Sequence, residues 1–189
     1  MATTAELLPW YGLAKQGRIF TGNWTTLVLP IFSNTTQQVG LWNPAGNDVD
    51  AVLRSISLTY VSTTGAAGGF VIGYLANAPA QLATGAAITA FTETTAIAGY
   101  GATGNLAQVA KFGFGATLTV TAPAMYRHLG LNQLVLTAAD ATVPQWKTDF
   151  DFDQGDLVVT PGMAIFVAGN IATLDKFAGS ITWAEVSRI

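Results

Sequence analysis

The amino-acid sequence predicts an all-β fold, an antiparallel β-sandwich formed by one large domain. Three observations lead to this prediction. Runs rich in Val, Ile, Thr and aromatic residues are separated at short intervals by Gly, Pro and Asn clusters, as strands and turns are in a sandwich. No segment has a convincing helical period. The 189 residues are enough to bury a core without covalent cross-links, and the chain contains no cysteine.

The N-terminal segment differs from the rest of the chain. Residues 1–17 are predicted to form an extended arm, and residues 18–189 the sandwich domain. The arm is apolar but has no hydrophobic period, so it either packs on a neighbouring subunit or closes the core of its own domain. We expect the first of these. The candidate interface residues are Leu7, Leu8, Trp10, Tyr11 and Leu13.

Strands in the first half of the chain are predicted from alternation and bounding turns. Over residues 52–61 apolar and hydroxyl side chains alternate, which predicts a half-buried strand with one hydroxylated face. Earlier strands are predicted at residues 25–32 and 39–42, followed by a turn cluster at residues 43–48. Residues 70–76 are almost continuously apolar, which predicts a strand covered on both sides at the centre of a sheet.

The second half supplies the remaining strands. Residues 81–105, rich in Ala, Thr and Gly, are predicted to form a long excursion, with a short helix over residues 86–92 as an alternative. Further strands are predicted at residues 116–121, 133–137, 149–153, 155–159, 163–167 and 177–186. The total of roughly eight to ten strands is typical of a jelly roll.

The charge balance argues against nucleic acid and membrane partners. Eight basic and eleven acidic residues give a net charge of −3 without any basic run, so the positive surface of a nucleic-acid binder is missing. The N-terminus lacks the basic leader and apolar core of a signal peptide. The longest apolar stretch, residues 66–76, is interrupted by glycines and is too short to span a bilayer.

The hydropathy of the chain predicts association. A mean hydropathy of +0.40 with only 10% charged residues is unusual for the surface of a monomer. We therefore expect part of the surface to be a subunit interface. The alternative is a monomer whose surface consists of Thr, Ser, Asn and Gln, since apolar atoms are common on every protein surface.

Three aspartates are the candidates for a metal site. Asp149, Asp151 and Asp153 alternate with phenylalanines and share one face of a predicted strand. Such carboxylates repel one another unless a cation or solvent separates them, which suggests calcium. Gln154 and Thr160 depart from the EF-hand pattern, which has glycine and a closing acid there. We favour a strand with its phenylalanines in the core and its aspartates in solvent, so no metal or cofactor is predicted.

No catalytic residue is predicted. His128 is the single imidazole, and no Gly-x-Ser-x-Gly elbow supplies a serine nucleophile for a triad. We interpret His128 as a loop residue. The five tryptophans lie mostly in apolar contexts, which favours core or interface packing over a sugar-stacking platform.

The C-terminal third has recognisable structural residues. Pro161 and Gly162 suit the centre of a type II turn, because proline sets φ of the first central residue and glycine allows φ > 0 at the second. Trp183 shares a strand face with Ile181 and is predicted to anchor the closing strand. Glu185 lies on the same face near the strand end, so it must reach solvent or a partner.

Two segments carry a family resemblance. Residues 156–170, Asp-Leu-Val-Val-Thr-Pro-Gly-Met-Ala-Ile-Phe-Val-Ala-Gly-Asn, and residues 181–186, Ile-Thr-Trp-Ala-Glu-Val, resemble the ending of jelly-roll structural proteins common in tailed bacteriophages. In that group a strand, a Pro-Gly turn, an apolar strand and a closing Trp-x-Glu-Val strand complete the sandwich. Residues 39–44 and 74–75 are also similar to the group.

The resemblance implies a virion protein without catalytic activity. Such proteins commonly form symmetric oligomers that decorate or cement a capsid, or build a fibre, collar or spike. We therefore expect a homotrimer on the capsid surface or in a head-associated structure, whose partners are copies of itself and other capsid or virion proteins. The chief alternative is a glycan-binding module, receptor-binding or lectin-like. A hydrolase with paired carboxylates on the same scaffold ranks last.

Overall fold

The computed structural model describes residues 10–14, 16–28, 31, 37–62, 68–76, 88–89, 92–94, 97–98, 109–118, 124–132, 147–152, 156–169 and 176–188. A short helix occupies residues 10–14, and strands account for most of the other described residues. Within the described part of the chain, no helix has the length and hydropathy needed to cross a membrane.

The all-β prediction is confirmed. The thirteen strands among the described residues are β1 (Ile19–Val28), β2 (Gln37–Trp42), β3 (Val49–Ser62), β4 (Gly68–Leu75), β5 (Ile88–Thr89), β6 (Thr92–Thr94), β7 (Ile97–Ala98), β8 (Lys111–Leu118), β9 (Ala124–Asn132), β10 (Lys147–Asp151), β11 (Val158–Val159), β12 (Ala164–Gly169) and β13 (Lys176–Ser187). Nine of these contain five residues or more, which agrees with the predicted number of strands.

The strands form two antiparallel sheets. Sheet A has the order β10-β3-β13-β1-β7, with β11 also pairing with β3. Sheet B has the order β5-β8-β2-β12-β4-β9, with β6 also pairing with β8. The interior strand β4 has adjacent residues on opposite faces, and its Val71 and Ile72 are both buried. The prediction of a strand covered on both sides is therefore confirmed, but β4 lies next to the end strand β9 and not at the centre of its sheet.

The longer strands pair in a nested order. In sheet A the first strand pairs with the last, with Ile19 opposite Ala184, and β3 pairs with β10. In sheet B, β2 pairs with β12 and β4 pairs with β9. The chain therefore runs through four strands and returns past them in reverse order, and successive pairs belong to alternate sheets.

The two sheets share one aromatic core. Trp183 of β13 stacks on Phe20 of β1, with ring centroids 5.9 Å apart, and on Phe112 of β8, at 6.4 Å. Phe112 belongs to sheet B, and it also stacks on Trp24 of β1 at 6.3 Å. Gly22 makes room for this contact, because a Cβ there would lie 2.2 Å from Cγ of Phe112. This aromatic stack therefore joins the two sheets.

Strand β3 follows the predicted alternation only in its second half. Ile56 and Leu58 are buried as predicted, but nearer the start of the strand Leu53 is buried and Arg54 is exposed. In the ladder with β13, successive residues of β13 lie opposite residues 55 and 53 of β3, so Arg54 is the extra residue of a β-bulge. The bulge keeps a guanidinium out of the core.

Some predicted elements differ from the structure. His128 lies in β9, so its interpretation as a loop residue is wrong. Strand β9 was missed because residues 124 and 126–128 are all exposed, which leaves no apolar alternation. The alternative helix over residues 86–92 is also wrong, because Ile88–Thr89 is a strand paired with β8. The predicted strand at residues 133–137 lies outside the described residues.

Candidate interaction surface

The outer face of sheet A carries small polar side chains in cross-strand rows. We name it the hydroxyl face, and its described members are Thr21, Asn23, Thr25, Ser55, Ser57, Thr59, Ser180 and Thr182. In one row Ser180 of β13 lies between Asn23 of β1 and Ser57 of β3. In the next row Thr21 and Thr182 share a hydrogen bond, with hydroxyl oxygens 3.1 Å apart. The face offers donors and acceptors without formal charge.

The alternation of the strands produces this face. On β13, Ser180 and Thr182 point outwards while Ile181 and Trp183 are buried in the core. The same division was predicted for β3 from its sequence. Small β-branched and hydroxyl side chains are compatible with a half-exposed sheet surface, so the polar face does not weaken the strands that carry it.

A shallow concavity of about 450 Å³ lies within the hydroxyl face. Its lining residues are Asn23, Trp24, Thr25, Ser57, Thr59, Ala178, Gly179 and Ser180. The surface of the central strand is low at this point, because the outward-facing Ala178 has only a methyl group. The neighbouring hydroxyl and amide groups therefore stand around a floor of short residues.

The predicted acidic cluster lies beside this concavity. Asp149 and Asp151 are exposed on the edge strand β10, whereas Phe152 is buried, as the favoured interpretation predicted. Ser57 lies opposite Asp149 and donates a hydrogen bond to its Oδ1. Asp153 lies outside the described residues. Among the residues that are described, no three His, Asp or Glu side chains are grouped so that they would hold a metal ion.

Pro161 and Gly162 form the centre of a β-turn. The backbone N–H of Met163 donates to the carbonyl oxygen of Thr160 at 3.0 Å, and Gly162 has a φ of 95°. A positive φ at the second central residue is what a type II turn requires. The N–H of Gly162 donates to the carbonyl oxygen of Asn43 at 2.8 Å, which ties this turn to the one after β2.

Asn43 is a buried structural residue that sequence reasoning missed. It has no exposed surface, and its Nδ2 donates to the carbonyl oxygens of Val49 and Val159, each at 2.9 Å. Its Oδ1 accepts a hydrogen bond from Nδ2 of Asn47 at 2.8 Å. One side chain thus connects the turn after β2 with β3 and β11. The sequence indicated only a turn at this position. Asparagines in turns can also face solvent, so the pattern did not reveal that Asn43 is buried.

Glu185 finds its partner within the chain. It is only 4% exposed, and its Oε1 accepts hydrogen bonds from the backbone N–H groups of Val109 and Ala110, both at 2.8 Å. These two residues immediately precede β8 of sheet B. Glu185 therefore joins the closing strand of sheet A to the other sheet, while Trp183 anchors the same strand in the core, as predicted.

The described part of the N-terminal segment is helical. The predicted extended conformation is therefore wrong at residues 10–14. The backbone N–H of Arg18 donates to the carbonyl oxygen of Leu13 at 2.9 Å, and Gly17 has a φ of 70°, which ends the helix in a left-handed residue. The Trp10 ring lies 5.4 Å from Cζ of Arg54 on β3, a cation–π contact. This segment thus contacts its own domain.

The predicted interface residues of the segment have different environments. Tyr11 is exposed, and Trp10 and Leu13 are partly buried. Leu7 and Leu8 lie outside the described residues. Among the described members, Tyr11 thus has the largest exposed fraction, 58%.

Strand β9 places a second tyrosine at the surface. Tyr126 is 54% exposed and packs edge-on against Tyr74 of β4, with ring centroids 6.0 Å apart. Arg127 and His128 are exposed beside it. Strand β9 is the end strand of sheet B, and its ladder with β4 has two register shifts. Bulges of this kind interrupt the regular edge of a sheet.

The four tryptophans that the structure describes do not form an exposed platform. Trp24 and Trp183 are buried in the core, and Trp10 and Trp42 are partly buried. Trp146 lies outside the described residues. For Trp24 and Trp183 the prediction of packing in the core is confirmed.

The chain was compared with protein-family models, curated proteins and solved structures. No family model matches it, and no curated protein or solved structure is significantly similar. The resemblance to phage structural proteins, the virion function and the glycan-binding alternative therefore stay predictions.

Proposed function

We propose that this chain is a jelly-roll structural protein of a bacteriophage virion. It acts through protein–protein contacts as a homo-oligomer, most simply a homotrimer, on the capsid surface or in a head-associated structure. Its partners are further copies of itself and other capsid or virion proteins. The observation that carries the proposal is the nested pairing of the strands.

The nested pairing is the pattern of a rolled-up hairpin. The pairs β1–β13, β2–β12, β3–β10 and β4–β9 alternate between the sheets, and they give the orders β10-β3-β13-β1 and β2-β12-β4-β9. This arrangement supports a jelly roll, the architecture of many viral capsid and lectin domains. Because one fold hosts several functions, the choice between these two needs further arguments.

Composition and motifs favour the virion protein. The chain has few charges and a high mean hydropathy, which fits a protein that covers part of its surface in an assembly. The Pro161-Gly162 turn and the closing strand with Trp183 and Glu185 are the segments that resemble the phage proteins. Both have structural contacts here, so the resemblance concerns the scaffold.

The edge of sheet B at β9 is the subunit contact we propose. Aromatic residues are enriched in protein interfaces, and Tyr126 is a large exposed aromatic side chain supported from behind by Tyr74. The bulges in β9 disfavour continuous strand pairing with another chain. We therefore assign the contact to side chains. Tyr11, also exposed, marks a second candidate contact in the N-terminal segment.

The native mass of the full-length protein tests the oligomer. Analytical ultracentrifugation at micromolar concentration should give a trimer, and Tyr126→Arg should shift it towards monomer. Tyr11→Arg tests the N-terminal segment in the same way, and Thr182→Arg, on the hydroxyl face, is the control that should leave the mass unchanged. A sharply monomeric wild-type protein would contradict the proposal.

The virion assignment needs a separate experiment. Peptides of this chain should be found in purified particles of the phage whose genome encodes it, in copy numbers that are multiples of three. Particles that contain every other structural protein but none of these peptides would rule out the virion function, whatever the oligomeric state.

A further inference from the structure

We infer that the concavity of the hydroxyl face is a binding site for a neutral carbohydrate. The inference goes beyond the proposed assembly function and does not depend on it. It uses a different sheet and different residues from the β9 contact. We base it on the volume of the concavity, the hydrogen-bonding groups that line it, the negative charge of Asp149 and the nature of the surrounding surface.

The size and rigidity of the concavity suit a small ligand. Its volume of about 450 Å³ is within the range of roughly 300–1,000 Å³ found for ligand pockets, and because it is shallow and largely open to solvent it would contact a ligand from one side. The lining residues come from β1, β3 and β13, three adjacent paired strands of sheet A. A ligand would therefore meet side chains that the sheet already holds in place, which lowers the ordering cost of binding.

The lining groups match the hydroxyls of a sugar. The amide of Asn23 both donates and accepts hydrogen bonds, and so do the hydroxyls of Thr59 and Ser180. Sugar hydroxyls also have this double character, so they can pair with such groups in either direction. The short floor at Ala178 allows a ring to approach the sheet closely.

The hydrogen bond to Asp149 leaves the Ser57 hydroxyl as an acceptor for a ligand. Because this hydroxyl donates its hydrogen to Oδ1 of Asp149, the remaining lone pairs of Ser57 are left to accept a hydrogen bond from a ligand. Asp149 is thus a positioning residue that acts through Ser57. Its carboxylate also places negative charge beside a lining whose described residues include no Lys, Arg or His, which disfavours phosphates and acidic sugars.

A second copy of the chain fits this surface less well. The centres of subunit interfaces are apolar and rich in aromatic residues. The large exposed hydrophobic residues among the described side chains are Tyr11, Ile31, Tyr126 and Val186, and none of them lines the concavity. A concavity that combines hydroxyl and amide groups with a small apolar floor favours a carbohydrate, which has both hydroxyl groups and apolar ring faces, over a protein surface.

The test titrates the full-length protein with neutral oligosaccharides. The probes are glucose, mannose, galactose and N-acetylglucosamine oligomers, with polygalacturonate as the anionic comparison, followed by saturation-transfer NMR and calorimetry. We expect saturable binding of at least one neutral probe. Ala178→Trp, which fills the concavity from an outward-facing position, should abolish it. Thr182→Trp places the same ring on the same strand and face outside the lining, and should preserve it.

Smaller substitutions keep the test valid if Ala178→Trp fails to fold. Asn23→Ala and Ser57→Ala should each weaken binding about three- to tenfold, as expected for the loss of one neutral hydrogen bond. Asp149→Ala should weaken it similarly, whereas Asp149→Asn, which keeps an acceptor for Ser57, should restore binding of the neutral probe. Thermal unfolding followed by circular dichroism checks that each variant is folded.

Four results would overturn the inference. They are the absence of saturable binding by any neutral probe, binding of the anionic probe alone, binding that a folded Ala178→Trp variant retains, and a change in native mass caused by Ala178→Trp but not by Thr182→Trp. The last would identify a second copy as the occupant and leave the proposed oligomer intact. A monomeric wild-type protein that binds sugar at the concavity would instead overturn the trimer and leave this inference intact.

Discussion

Trp24 and Gly179 lie opposite each other in the β1–β13 ladder, and the indole of Trp24 occupies the space that a side chain at position 179 would need. A Cβ on Gly179 would lie 2.5 Å from Cη2 of Trp24 and 2.5 Å from the carbonyl oxygen of Ser57. Nε1 of Trp24 donates to the carbonyl oxygen of Phe177 at 3.0 Å, which fixes the ring. Neither the ring nor the backbone can move away easily.

Gly179→Ala is therefore expected to lower the free energy of unfolding by about 1–3 kcal/mol, the usual cost of overpacking. Urea denaturation followed by tryptophan fluorescence measures it. Gly12→Ala is the matched control, because a Cβ on Gly12 meets nothing within 4 Å. It lies in the short helix, where alanine is favoured over glycine, so no loss is expected. Equal stability of the Gly179→Ala variant and the wild type would contradict the packing described here.

Asn43 should be among the most sensitive polar positions. Asn43→Ala removes the donor for two buried carbonyl oxygens, and we expect a loss of about 2–4 kcal/mol in unfolding free energy. Asn43→Asp keeps the shape but replaces the donor by a buried carboxylate facing carbonyl oxygens, so it should be at least as damaging. Asn47→Ala, at the rim of the same turn, is the control and should cost less. Chemical denaturation of the three variants gives the order of their unfolding free energies.

Glu185 should stabilise the connection between the sheets. Glu185→Ala leaves two backbone N–H groups without an acceptor and is expected to cost about 2–4 kcal/mol. Glu185→Gln retains an oxygen acceptor and should cost less. Asp156→Ala is the control, because its side chain is 57% exposed and lies 4.0 Å from Arg127, an exposed pair of little consequence. If Glu185→Ala unfolds at the same urea concentration as Asp156→Ala, the proposed role of the carboxylate is incorrect.

Calcium is expected to leave the melting temperature unchanged. Asp149 and Asp151 are exposed on a sheet surface, and Asp149 already accepts a hydrogen bond from Ser57. A ligand that binds only the folded protein raises its stability in proportion to the logarithm of ligand concentration above Kd. Differential scanning calorimetry with calcium or with a chelator checks this. A melting temperature that rises with calcium in the wild type but not in Asp151→Asn would instead support the calcium site.

The local sequence pattern was sufficient to predict strands that have one buried and one exposed face. The alternation around Ile56 and Leu58 predicted the buried side of β3, and Pro161-Gly162 predicted the turn that the structure contains. The shift in the alternation of buried and exposed residues at Arg54 was not predictable, because a β-bulge depends on the register of the partner strand. Strand β9 was missed for a related reason, since its exposed side chains have no alternation.

The local sequence pattern could not predict hydrogen bonds between side chains and groups that are distant in the sequence. The position of Glu185 predicted that its carboxylate needs a solvent or protein partner, but not that Val109 and Ala110 provide it. Asn43 looked like any turn asparagine, and its two carbonyl acceptors are brought to it by other elements. The hydroxyl side of β3 was predicted, but the concavity requires three strands in register and a small residue at position 178.

The pairing of β1 with β13 also determines when the molecule can fold. Strand β1 pairs on one side with β13, and most of the described strands lie between these two along the chain. The same holds, at shorter distances, for the other nested pairs, so few contacts can form between residues close in sequence. Chains dominated by such distant pairings fold in milliseconds to seconds, far slower than helical bundles of similar stability. Strand β1 can therefore complete its pairing only after β13 has been synthesised, and loss of β13 would leave β1 with only its short pairing to β7 among the described strands.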